Sequence, residues 1–287
     1  MIQCLFFDLD GTLITPEDKI EEYTYKRLKE VMAKGVEVVF ATGRDINMVI
    51  DIMDAYDLDV DLILNNGTQY RNRSGSVNEY HPMSDENFIK IATILNDAGY
   101  LLAIHTNEGK YGLCSADEFW DRHLALLHKN DGMDLPEKTF TVRERFMRDY
   151  HPASSPQEIV GKGVKVLKID ARHMDLKDIA GIRAELNIPG LDISSSYEDN
   201  MEITSNEYNK GKMVDHVIGL KGYGPEEIAI FGDGLNDVPM LEKYRYSFTP
   251  ANGSLEAREY AHFILRRTNV EGAVGEALDK LGDMKLI

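Results

Sequence analysis

Cys4-Leu5-Phe6-Phe7-Asp8-Leu9-Asp10-Gly11-Thr12 is the stretch whose reading decides the fold. Residues 2–7 form a short apolar run that ends in acids, the pattern of a strand buried on both faces at its C-terminal edge. Gly11 lets the backbone turn tightly as the chain leaves that strand. Beyond it, Ile20, Tyr23, Leu28, Val31 and Met32 recur near helical spacing and Gly35 stands where a C-terminal cap belongs, so a helix is expected over 18–34. A second buried strand is expected over 36–41, a helix over 45–56 and a third strand over 61–64, ending at Asn65-Asn66-Gly67. Strands alternating with helices of this length imply right-handed crossovers and a parallel sheet.

After Gly67 the rhythm changes. Two short runs flank Ser74-Gly75 as in a β-hairpin, a helix follows from Ser84, and a second hairpin-like pair surrounds Glu108-Gly109. Helical stretches over 117–129 and 176–186, a polar, proline-containing region through Pro156, and strands over 164–170, 191–195 and 201–204 complete an α+β middle third with an antiparallel sheet. The βα rhythm then returns: a helix over 210–220, a strand over 228–231, a helix from Asn236, a strand over 246–249 and a last helix over 272–281. The expected organisation is one α/β domain, residues 1–82 and 201–287, interrupted by an inserted α+β domain, residues 83–200.

Composition narrows the function. Of 287 residues, 32 are Lys or Arg and 49 are Asp or Glu, a formal charge of −17 with histidine neutral. Such a chain approaches a nucleic-acid backbone or an anionic membrane against its own field, so neither is expected as a partner. Cys4 and Cys114 are too few for a disulfide framework and lack zinc-site spacing. The N-terminal run has no basic lead and too few apolar residues for a signal peptide or a membrane span, so a cytoplasmic protein is expected.

In open parallel sheets ligands bind beyond the carboxyl ends of the strands, which gives most weight to the polar residues there. Four groups qualify: Asp8-Leu9-Asp10-Gly11-Thr12; Thr42-Gly43-Arg44 after the second strand; Lys210 with Gly211 at a helix start, where an ammonium beside free N–H groups suits an anion; and Gly232-Asp233-Gly234-Leu235-Asn236-Asp237, a hard-cation site by its oxygen donors. Any one of them also fits a capped turn. All four in this order are hard to explain by chance.

Together they resemble the four motifs of the haloacid dehalogenase (HAD) superfamily: Asp8–Thr12 its first (DxDGT), Thr42 its second, Lys210 its third and Gly232–Asp237 its fourth (GDxxND). Ala41-Thr42-Gly43-Arg44, Asn66-Gly67-Thr68, Asn209-Lys210-Gly211 and the tail from Asn269 to Val274 resemble the Cof-type, sugar-phosphatase-like subgroup. The resemblance implies a Rossmannoid parallel-sheet core with an inserted cap of the C2B type that selects substrate. It also implies a Mg²⁺-dependent phosphatase acting on a small phosphorylated metabolite, chiefly a sugar phosphate. In that scheme Asp8 is the nucleophile that forms an aspartyl-phosphate and Asp10 is the acid and then the base. Asp8, Asp233 and the backbone carbonyl of Asp10 hold Mg²⁺, and Asn236 and Asp237 orient that shell. Thr42 and Lys210 bind the phosphate oxygens, with Gly43, Arg44 and Asn66 beside the phosphate and leaving group.

Two other readings stay open: a phosphohexomutase-like phosphotransferase, and a non-catalytic metabolite-binding protein on the same scaffold. A monomer or small homo-oligomer is expected. The remaining clusters read as structural. Arg143, Arg145 and Arg148 form a solvated face, Trp120 packs in the inserted domain, and His81, His105 and His123 lack ligand spacing.

Overall fold

The computed structural model describes residues 1–131, 139–186, 188–195 and 200–287. Among them the strands run, in chain order, β1 (Cys4–Phe7), β2 (Glu37–Ala41), β3 (Asp61–Leu64), β4 (Gln69–Arg71), β5 (Asn78–Tyr80), β6 (Leu101–Thr106), β7 (Gly109–Gly112), β8 (Tyr150–Pro152), β9 (Val166–Arg172), β10 (Leu191–Ser194), β11 (Asn200–Ser205), β12 (Ile228–Phe231), β13 (Ser247–Thr249) and β14 (Phe263–Ile264). They form two sheets, an eight-stranded one in the order β14-β13-β12-β1-β2-β3-β4-β5 and a six-stranded one in the order β10-β11-β9-β6-β7-β8.

The larger sheet is parallel from β14 to β3 and turns antiparallel at β3–β4, so the hairpin read around Ser74-Gly75 extends its edge. The fold is thus α/β with a parallel-sheet core. β1 and β12 lie at its centre, and every side chain of both strands is buried. The continuous apolar runs that mark these strands in the sequence follow from that burial, because a sheet covered on both faces has no place for alternating polar residues.

The smaller sheet separates its two faces by strand alternation. Leu102, Ile104, Ile169, Ala171, Met201 and Ile203 share one core with Phe88 and Ile91 of the helix Asp85–Asp97, Ile159 of Pro156–Gly161 and Ile179 of Leu176–Glu185. Leu101 and Ala103 belong to the other, where Phe119, Trp120 and Leu126 of the helix Ala116–Asp131 and Phe146 pack. Trp120 is therefore a core residue, as its neighbours in the sequence suggest. Arg143 pairs with Asp117 in an exposed contact.

Chain contacts divide the protein into one unit of Met1–Arg44, Val49–Glu79 and Asn209–Ile287 and another of Asp45–Met48 and Tyr80–Tyr208. The sequence reading places the return to the first domain at residue 201. β11 instead pairs with β9, Met201 opposite Ala171 and Ile203 opposite Ile169, so 200–205 belong to the six-stranded sheet and the return comes at Asn209. A short strand carries no mark of the sheet it will join, and only pairing decides that.

Two further boundaries shift for local reasons. The first helix begins at Glu22, because Glu21 caps it through its carboxylate and Asp18 sits in the left-handed region at φ 57°. The helix expected from Asn236 is a 3₁₀ turn over Leu235–Asp237 followed by a short helix, Val238–Leu241, that carries Pro239 in its first turn, where proline is tolerated. Part of the polar region before Pro156, residues 132–138, lies outside the described residues. Both cysteines are free thiols.

Candidate active site

The order of the larger sheet reverses between β1 and β12: from β1 the chain proceeds to β2 and β3 on one side, and later to β13 and β14 on the other. A crevice at such a switch point, beyond the carboxyl ends of the strands, is where open α/β sheets place ligands. In-register pairing of Phe7 with Phe231, continued by the Asp8 N–H donating to the Phe231 carbonyl at 2.9 Å, sets Asp8 beside the Gly232–Asp237 loop.

Lys210 joins these two strand ends. It opens the helix Lys210–Lys221, whose N-cap Asn209 accepts from the Lys212 N–H, and its buried ammonium donates to Asp8 Oδ1 at 2.6 Å and to Asp237 Oδ1 at 2.7 Å. The other oxygen of Asp237, Oδ2, accepts from the N–H groups of Asp233 and Gly234, each at 2.9 Å. Asp237 is therefore the residue that folds the fourth loop back on itself. Asp233 is held from the first loop, where Thr12 Oγ1 donates to its Oδ1 at 2.8 Å. Gly11 makes that approach possible: it has φ +79°, and a Cβ there would lie 2.3 Å from Asp233 Oδ2.

Charge in this cluster is unbalanced. Asp8, Asp233 and Asp237 each place an oxygen within 4.8 Å of the others, and Lys210 is the cation hydrogen-bonded among them. Burial, then the neighbouring Asp237, Asp233 and Asp10, raises the Asp8 pKa well above the carboxylate range despite Lys210. Burial and Asp237 push Asp233 up to about 7. For Lys210 burial works against the charge, but Asp237 and Asp8 outweigh it and raise its pKa. Three convergent carboxylates facing one ammonium have the donor chemistry of a divalent-cation site: hard oxygen ligands whose mutual repulsion a cation relieves.

The second loop lies beside this cluster. Thr42 is buried, and its hydroxyl oxygen accepts from the Arg44 N–H at 3.1 Å, which leaves the O–H proton to be donated elsewhere. The sequence reading puts Arg44 beside the leaving group. The structure places its guanidinium on Asp10, with Nε to Oδ2 at 2.8 Å and one NH₂ to Oδ1 at 2.6 Å, and on Asp18 at 2.5 Å. Gly43 lies between Thr42 and Arg44, partly buried. Asn66, also read as a phosphate or leaving-group residue, has its side-chain oxygen on Asn236 Nδ2 at 3.2 Å.

The sequence reading misses several contributors. Asp18 reaches Arg44 from a left-handed turn that follows the first motif. Asn252 donates from Nδ2 to the Gly11 carbonyl at 2.8 Å, and the Ser254 N–H donates to the Asp233 carbonyl at 2.8 Å, so the loop after β13 braces both the first and the fourth motifs. From the tail, Asn269 donates through Nδ2 to the Ile14 carbonyl at 2.7 Å, close behind the first motif. Spacing carries no signal for such braces, because each acts on a neighbour far away in the chain.

The sequence signature of the haloacid dehalogenase-like hydrolases matches residues 5–278, and the chain belongs to that family. It is similar to 5-amino-6-(5-phospho-D-ribitylamino)uracil phosphatase of Bacillus subtilis, with 22% identity over 96% of this chain and 94% of the relative. It is also similar to pyridoxal phosphate phosphatase of Escherichia coli, with 27% identity over 82% of each chain. Among solved structures, a haloacid dehalogenase-like hydrolase from B. subtilis superposes with a TM-score of 0.82 at 22% identity, covering 98% of this chain and 100% of that one. A sugar phosphatase of HAD subclass IIB superposes with a TM-score of 0.76 at 20% identity, covering 99% and 100%. The family is one of hydrolases, and both sequence relatives are phosphatases. No helix among the described residues is long and apolar enough to cross a membrane.

Proposed function

We propose that the protein is a Mg²⁺-dependent phosphatase of a small phosphorylated metabolite, a sugar phosphate first among them, acting through an aspartyl-phosphate on Asp8. The observation that carries this reading is the convergence of buried Asp8 and Asp237, both bonded to Lys210, with the half-buried Asp233, and with Asp10 two residues beyond Asp8. The small inserted α+β unit is assigned the selection of substrate. An acidic chain can still bind an anion here, because the local cation decides the field.

The donor set fits Mg²⁺: carboxylates of Asp8 and Asp233 with the backbone carbonyl of Asp10 would hold it, and Asn236 and Asp237 would orient that shell. When bound, the ion neutralises phosphoryl oxygens and the carboxylate repulsion. The chain's own residues do the rest. Lys210 and the Thr42 hydroxyl take the phosphate oxygens and orient the phosphorus toward Asp8. An Asp8 oxygen forms a bond to phosphorus as the bond to the leaving oxygen breaks, and Asp10 gives that oxygen its proton. In the second step Asp10 takes a proton from water, whose oxygen bonds to phosphorus as the Asp8–phosphorus bond breaks. Arg44 donates to both Asp10 oxygens, an arrangement that suits Asp10 as the ionised base; for the acid step one of those oxygens must leave Arg44 to carry the proton.

A panel of phosphorylated metabolites assayed with Mg²⁺ and with excess chelator tests the reading. Hydrolysis that needs the metal and vanishes in Asp8→Asn is expected. Full activity in chelator, or normal turnover in Asp8→Asn, would remove either the metal or the nucleophile from this account. Recovery of a phosphate isomer instead of free phosphate would favour the mutase reading.

A further inference from the structure

Residues Asn65-Asn66-Gly67 leave β3 in an unusual backbone conformation. Asn65 and Asn66 both have positive φ, 51° and 60°, and Gly67 follows at 97°. Left-handed residues other than glycine are uncommon, and asparagine is among the few that tolerate the region. Three in succession, all buried, are held only where the surroundings over-determine them, and such conformations cluster at functional sites.

Those surroundings are the other catalytic loops of the same unit. The N–H groups of Asn65 and Asn66 donate to the carbonyls of Arg44 and Thr42, each at 3.0 Å, so the turn is pinned to the second motif. Gly67 packs on the backbone leading into Lys210, where a Cβ would meet the Asn209 carbonyl carbon and oxygen at 2.4 Å and the Lys210 nitrogen at 2.8 Å. The Asn66 side chain reaches the fourth motif through Asn236. One three-residue turn therefore touches the loops bearing Thr42, Lys210 and Asn236.

We propose that Asn66 is a positioning residue for the metal-bearing loop: held in its left-handed turn, it fixes the side chain of Asn236 and with it the Gly232–Asp237 segment. This deepens the metal reading given above and rests on it. Asn66 touches neither substrate nor reacting atoms in this role; it acts through Asn236. Its backbone ties place the carboxamide, and the carboxamide oxygen takes the Asn236 N–H that would otherwise be free to swing the loop. Groups that orient a metal's ligands typically set about 10–100-fold in affinity.

The test is metal binding without substrate, read as loss of the free Mn²⁺ resonance signal, with Mg²⁺ as competitor. Asn66→Gly removes the side chain but keeps a backbone at ease with positive φ, and thermal unfolding in chelator reports whether the fold is intact. Asn66→Gly and Asn236→Ala are each expected to weaken Mn²⁺ binding about tenfold, and the double variant no more than the weaker single, because both remove one link. Asn65→Gly keeps the same turn and removes a buried side chain that donates to Gln69 and, among the described residues, makes no hydrogen bond to the fourth motif, so it is expected to bind Mn²⁺ as wild type does. Wild-type affinity in Asn66→Gly, or losses that multiply in the double variant, would overturn the proposal. A wild-type protein that binds no Mn²⁺ or Mg²⁺ would overturn it together with the metal reading. Normal wild-type binding without phosphatase activity would overturn the reading of function and leave this one standing.

Discussion

Replacing Lys210 by methionine keeps most of its volume and removes the cation hydrogen-bonded within the Asp8, Asp233 and Asp237 cluster. The ammonium donates to Asp8 and Asp237, and all three side chains are almost entirely buried. Removing one partner from a buried ion pair costs about 3–5 kcal/mol, because the other charge stays desolvated and unpaired. At ~2–4 °C per kcal/mol for a domain of 150–250 residues, the lower end of that range lowers Tm by about 6–12 °C in chelator. The loss should shrink when Mg²⁺ is present, since a cation among the same carboxylates replaces part of the missing charge. Catalysis should fall by about 10²–10³ in kcat/KM, the usual effect of deleting one donor aimed at developing charge. Calorimetry with and without metal, and steady-state kinetics, give the two readouts. The double variant Lys210→Met/Asp8→Asn separates the causes: it should recover much of the stability, though no activity, because one of the unpaired carboxylates is gone. If Lys210→Met unfolded at the wild-type temperature, or the double variant were no more stable than the single, the charge imbalance would not be the cause.

Other expectations follow from the same geometry. Asp8→Asn should be at least as stable as wild type in chelator, because burial and Asp237 already disfavour the Asp8 charge; a lower Tm would contradict this. Asp10→Asn should slow the burst with sugar phosphates about 10²–10⁴-fold more than with an aryl phosphate, whose leaving group needs no proton; equal losses would reassign Asp10 to holding the loop. Gly11→Ala forces a Cβ against Asp233 at φ +79° and should lower both stability, by ~1–3 kcal/mol, and metal affinity; an unchanged Tm would show that the loop simply shifts. In the smaller unit, burial works to raise the Asp45 pKa, but Lys110 and His105, the latter 2.9 Å away, hold it below the usual range. The unfolded chain therefore binds the Asp45 proton more readily, so this contribution is present above the ordinary carboxylate value of about 3.9 and is lost as pH falls below it. Denaturant unfolding of wild type and Asp45→Asn should differ most at neutral pH and converge in acid; a constant gap from pH 3 to 7 would refute it.

Much of the larger sheet was legible because its signals are local. A strand buried on both faces must be continuously apolar, so β3 and β12 were found at their true limits and β1 to within two residues. The parallel order followed from strands separated by helices, and the four polar groups stood out because each directly follows a strand or opens a helix. The shortest elements were less clear: β14 and the helix Leu255–Tyr260 went unread near the end of the chain, and β11, read as a strand of the antiparallel middle third, still fell on the wrong side of the domain boundary drawn at 201, since two to six residues carry little periodicity.

By itself the sequence determined which polar residues stand where an open sheet can use them: acids, a lysine and a threonine set at strand ends or a helix start by short-range patterns that survive without any knowledge of packing. Only the tertiary structure decided how they are used. The pairing of β1 with β12 brought Asp8 to Asp233 across more than two hundred residues, and the approach of Gly11 to Asp233 closed that gap. Arg44 was turned to Asp10 and Asp18, and Asn66 to Asn236. The physical reason is direction. A motif states that a side chain is present at the end of an element, but the orientation of that side chain is set by hydrogen bonds and close contacts with loops remote in the chain, which no local pattern records.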